Sequence, residues 1–208
     1  MNYYQIGNLT VSSTILAVVI AFILASVVYR IAFKEKTSDW YGNSFFYYVL
    51  IWKFSYILFH FSLFIDYPMS VLYYNGGWLG HILALLFLTI YFIIWMNKSR
   101  TFFFEFSRLY LLFYFIFVLI ESYLNHNVLM TIFHVILLGI SIFLFIWHKN
   151  KSLTMPVQLL LILVLLELVV MSIFESILSL KVLTLIWLTV ITIISLKLPK
   201  GEGKNRHV

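Results

Sequence analysis

Lys53 and His60 stand seven residues apart in the apolar run that begins at Trp52. Seven residues are two turns of an α-helix, so the two side chains share a face, with Tyr56 on it and Ser55 beside it. An ammonium, a phenol and an imidazole on one stripe can hold a phosphate, steady negative charge or move a proton. An ionisable group at the centre of a membrane span costs roughly 2.5–3.5 kcal/mol, so each one calls for a function or a partner. The further candidates are His81, Glu121, His134, Glu167 and Glu175. Glu167 is the expected counter-charge for Lys53 if their segments are neighbours, and such a pair either sets helix packing or serves chemistry. His81 and His134 either hydrogen-bond across helices or contact a ligand. If the chain is an enzyme, His81 or His60 is the general base and Lys53 steadies the charge that develops. His126, His148 and His207 fall near the surfaces and carry little weight. Glu105 and Arg108, three residues apart, fit an interfacial salt bridge. The histidines are scattered singly, so neither a metal site nor a cofactor is expected.

The elements that must position these groups follow from composition. The chain has 208 residues, 63% hydrophobic and 11% charged, against about 25% charged in a soluble domain. With no cysteine, disulfides and thiolate chemistry are excluded. A lipid core needs about 20 apolar residues per helical crossing. Seven runs qualify, at about 11–29, 44–65, 78–97, 103–124, 128–147, 156–177 and 182–198. The expected fold is therefore an all-α bundle of seven transmembrane helices in a single domain over residues 1–208. The uncharged first twelve residues point to a retained first span, not a cleaved leader.

Basic residues set the orientation. With the N-terminus outside, the inner side takes Arg30, Lys34, Lys36, Lys98, Arg100, Arg108, Lys149, Lys151, Lys197, Lys200, Lys204 and Arg206. Only Lys181 falls outside, and Lys53 lies within a span. The net charge of +6 thus reports topology and implies no nucleic-acid partner. Tyr73, Tyr74 and Trp78 fit an aromatic belt at the outer surface.

Gly76, Gly77 and Gly80 cluster where the outer connector meets the third span. Glycine allows close backbone approach, and N–H groups at a helix start favour an anion such as a lipid phosphate; a simple turn is the plainer reading.

These motifs together resemble the prolipoprotein diacylglyceryl transferases, seven-span bacterial membrane enzymes that move a diacylglyceryl group from phosphatidylglycerol to a lipobox cysteine. Asp39 matches the family's aspartate before span two. "WKFSYILF" is similar to its Gly-Ala-Arg-x-x-Tyr stretch, with Lys53 in the arginine's place and Tyr56 on the tyrosine. Pro68 sits in the outer connector, and Gly76, Gly77 and His81 match Gly-Gly-x-x-x-His. "MPVQLLLILVLLELVVMSIFES" resembles span six, with Glu175 on a family glutamate, and "LTLIWLTVITIISL" resembles span seven. The departures are specific. Ile82 and Leu83 replace two glycines, Met171 replaces an arginine, and the arginine-bearing signature of span four is missing, as is the soluble head.

In the enzyme reading the catalytic roles fall to His81 and His60, and the resemblance implies substrate contacts from Lys53, Tyr56, Gly76, Gly77 and Glu175. It implies a phosphatidylglycerol-like phospholipid as ligand, with a lipoprotein precursor or another membrane protein as partner, in a bacterial cytoplasmic membrane. Without the arginine forks that would hold a phosphate, two alternatives stand. One is a phospholipid-dependent transferase; the other is a non-catalytic membrane subunit or partner-binding protein on the same scaffold. A small transporter would need a span interrupted by glycine or proline, and none is seen.

Overall fold

The computed structural model describes residues 2–7, 9–98, 102–151 and 157–197. Of the residues weighed above, Arg100, Lys200, Lys204, Arg206, His207 and the start of the MPVQ stretch lie outside the described residues.

The elements are strands β1 (Tyr3–Ile6) and β2 (Leu9–Ser12), then helices α1 (Ser13–Phe33), α2 (Asp39–Phe59), α3 (Phe61–Asp66), α4 (Ser70–Tyr73) and α5 (Gly77–Lys98). They continue with α6 (Phe102–Leu124), α7 (Val128–Lys151), α8 (Val157–Phe174) and α9 (Leu180–Lys197). Among the described residues, five helices are long and apolar enough to cross a membrane: α1, α5, α6, α7 and α8. This is a helical, multi-span architecture consistent with a membrane protein.

Two local features depart from the expected pattern. The chain opens with an antiparallel hairpin, Tyr3 opposite Ser12 and Ile6 opposite Leu9, where the all-α reading placed no strand and began its first span at about residue 11. Gly7, at φ +62°, makes its turn in the conformation that glycine adopts without strain. The run expected to continue to residue 65 also breaks at His60, whose φ of −131° and ψ of 43° are not helical. The chain then resumes as the short α3, with Phe61, Leu63 and Ile65 exposed.

The chain divides into two compact units. The first comprises residues 1–37 and 103–193. Its α1 buries Ala17, Ala21 and Ala25 completely. This stripe of small residues at four-residue spacing lets a neighbouring helix come close, and α7 lies against α1. Further along α1, Phe33 meets Phe145 of α7 with ring centroids 6.3 Å apart. Most of α6 between Phe103 and Val118 is buried, as expected of a helix that is apolar all round. The hairpin is held on the α6–α7 turn: the Tyr4 hydroxyl donates to the Leu124 carbonyl at 2.5 Å, and the Asn2 and Ser13 donors converge on Asn125 Oδ1 at 3.1 and 3.0 Å.

The second unit comprises residues 38–102 and 194–208. Its centre is the antiparallel pair α2 and α5. Trp40 packs edge-on against Phe92 and Phe102, with centroids 6.0 and 5.0 Å away. Tyr47 packs on Phe87 and Tyr91 one stage further along.

Candidate functional site

The second unit gathers six of the seven predicted site residues. Toward its C-terminal end, α2 carries Lys53, half-buried, then Tyr56, buried, then His60, exposed at the helix break. Tyr56 touches the His60 ring, centroids 5.0 Å apart, and stacks on Tyr74 at 5.7 Å. The facing connector is tied to α2 by its backbone. The Gly76 N–H donates to the Trp52 carbonyl at 3.0 Å, and the Trp52 indole N–H donates to the Gly77 carbonyl at 3.2 Å. One turn into α5, His81 Nδ1 lies 2.7 Å from the Tyr48 hydroxyl, which orients the imidazole. For His81 to act as a base through Nε2, Nδ1 must carry the hydrogen and donate it to Tyr48.

The glycines have a packing role. A Cβ on Gly76 or Gly80 would land on the Ser55 hydroxyl, so both glycines are what allows α5 to meet α2 here. Gly77 has open space around it and needs glycine for its backbone, at φ +58°. The phosphate expected at the Gly76 and Gly77 N–H groups meets donors already in use. Gly76 N–H is given to Trp52, and Gly77 N–H donates to Asn75 Oδ1 at 2.9 Å.

Glu175 belongs to the first unit, where it forms an ion pair with Lys181. The Lys181 ammonium also reaches Glu121 Oε2 at 2.8 Å, and the Thr14 hydroxyl donates to Glu121 Oε1 at 2.6 Å. Lys181 sits at the first turn of α9, directly after Glu175 and the turn that ends α8, so chain connectivity brings the two together. Glu167 meets a partner that charge matching did not suggest, His134 of α7. Its Oε1 is 3.1 Å from His134 Nε2, both side chains being fully buried. The two residues face each other because α7 packs on α8. Arg108 lies over the Phe33 ring at 4.6 Å, and both it and Glu105, three residues before it, are buried.

Sequence reasoning passed over Tyr48, Thr14 and the structural weight of Lys181. Lys181 did carry a signal, as the one basic residue assigned to the outer side and six residues from Glu175. Tyr48 and Thr14 carried none, because tyrosines and threonines occur throughout the helices. Among the described residues, no three His, Asp or Glu side chains converge in a way that would hold a metal.

The chain matches no protein-family model, no curated protein and no solved structure.

Proposed function

We propose that this chain is a multi-pass protein of a bacterial cytoplasmic membrane that binds a glycerophospholipid through the end of α2 and the connector into α5. In this reading seven segments cross the membrane, α2 and α9 joining the five helices that are long and apolar enough to cross, with the N-terminus outside and the basic residues inside. The observation that carries the proposal is the arrangement of Lys53, Tyr56 and His60. A cation and an exposed imidazole flank a buried phenol, next to the short α3, which exposes Phe61, Leu63 and Ile65, and the turn after it, which exposes Met69. Exposed apolar side chains suit the acyl region, and a cation with an imidazole suits an anionic headgroup. Lys53 and Tyr56 also carry the resemblance to the diacylglyceryl transferases.

Binding without transfer is favoured by one observation. Glu175, expected at the substrate, is engaged by Lys181 in the other unit. A catalytic member would also need a group to stabilise the leaving phosphoglycerol, and Met171 stands where the resemblance calls for an arginine.

The deciding experiment incubates purified protein with labelled phosphatidylglycerol and a lipobox cysteine peptide, and follows both by mass spectrometry. Phosphatidylglycerol retained in fixed ratio, lost in Lys53→Gln/His60→Gln, is the expected result. A peptide that gains the diacylglyceryl mass adds transferase activity to binding. No retained phospholipid overturns the proposal, and equal retention of phosphatidylcholine overturns the role given to Lys53 and His60 in choosing an anionic headgroup.

A further inference from the structure

The first unit contains a second polar centre that lipid binding does not use. His134 Nδ1 lies 2.8 Å from the Met130 carbonyl oxygen. A carbonyl oxygen only accepts, so Nδ1 carries a hydrogen. On the other side of the ring, Nε2 lies 3.1 Å from Glu167 Oε1, with both side chains at 0% exposure. If Nε2 were bare and the carboxylate ionised, two lone pairs would face each other with no hydrogen between them, away from water. The reverse tautomer would turn a bare Nδ1 onto the Met130 carbonyl. Both arrangements repel, and neither satisfies these buried groups.

We infer that His134 and Glu167 form a proton-binding site, holding one shared proton between Nε2 and Oε1. Written as imidazolium with carboxylate, or as imidazole with carboxylic acid, the pair has the same proton count and no net charge. The proton is a ligand of the pair as a whole.

The surroundings support a proton as the ligand. Glu167 Oε2 and the hydroxyl of Tyr114 on α6 are buried and have no hydrogen-bond partner among the described residues. Tyr114 lies within electrostatic reach of Glu167, Glu175 and Glu121. The charged groups near this centre are thus three carboxylates and Lys181, whose ammonium is already held by Glu121 and Glu175. Among the described residues no three His, Asp or Glu side chains converge to hold a metal, and a proton suffices to neutralise the pair. When that proton leaves, an uncompensated carboxylate remains between α7 and α8, so proton occupancy is coupled to the packing of these two helices.

The test counts protons at neutral pH in the full-length protein. Nitrogen NMR of protein labelled at the histidine rings reports the state of His134, whose signals are those lost in His134→Gln. If that variant does not fold, replacing the other five histidines identifies them instead. Infrared spectroscopy reports a protonated carboxyl, assigned to Glu167 by its loss in Glu167→Gln or its shift in Glu167→Asp. Two results support the site: a doubly protonated His134 ring, or a neutral ring with hydrogen on Nδ1 together with a protonated Glu167. A neutral ring with an ionised Glu167 is one proton short and overturns the inference.

Discussion

Gly80→Ala tests the contact on which the candidate lipid site is built. The new Cβ would overlap the Ser55 hydroxyl and lie 3.1 Å from the Trp52 carbonyl oxygen and 3.4 Å from Ser55 Cβ. To make room, the Ser55 hydroxyl must swing away from the Trp52 carbonyl, to which it donates at 2.9 Å. Overpacking of this kind costs about 1–3 kcal/mol, and the lost hydrogen bond adds about 1 kcal/mol. Alanine in place of glycine within a helix returns about 1 kcal/mol. The net expectation is a loss of about 1–3 kcal/mol. Ser55→Ala alone loses only the hydrogen bond, about 1 kcal/mol. The double variant removes the overlap, retains the helix gain and is left with the 3.1 Å contact. It should therefore be more stable than Gly80→Ala, which is a strong departure from additivity between touching residues. Unfolding of the four proteins in one detergent measures this cycle. Additive effects, or a neutral Gly80→Ala, would refute the close approach of α5 to α2.

Other changes test the remaining features. Gly77→Ala meets no neighbour but forces a side chain into a φ of +58°, so it should cost about 1 kcal/mol, and Gly77→Asn should cost less; equal stabilities in thermal unfolding would argue against that turn. Lys181→Met leaves Glu121 and Glu175 uncompensated, with Lys181 itself 21% exposed. A loss of about 2–4 kcal/mol is expected, recovered in part by adding Glu121→Gln and Glu175→Gln; no recovery in denaturation would mean that Lys181 acts through its packing. If the chain transfers lipid, His81→Ala should abolish turnover while the protein elutes and melts as wild type does, and an unchanged rate would remove the general-base role.

The crossing segments were legible because apolar length is a one-dimensional property. Lipid accepts only helices whose backbone satisfies itself, so α1, α5, α6, α7 and α8 appear where long apolar runs predict them. The grouping of Lys53, Tyr56 and His60 was legible for the same reason, because residues on one helix face are set by helical pitch. The β-hairpin was less visible. Its strands are short, and their alternation merges into the apolar run of α1, although Gly7 next to Asn8 is a hairpin-turn signal.

Partners across helices were not legible, because sequence distance says nothing about which helices touch. Glu167 could be matched by charge to Lys53, yet α7–α8 packing gives it His134. Glu175 could be matched by motif to a substrate, yet the short turn into α9 gives it Lys181. Gly76 could be assigned to a phosphate, yet its N–H is taken by Trp52 and its missing side chain by Ser55. By itself, the sequence determined that the chain is helical, membrane-like and polar at a few defined depths. The tertiary structure decided which polar groups meet, because a buried charge takes the partner that packing brings within reach.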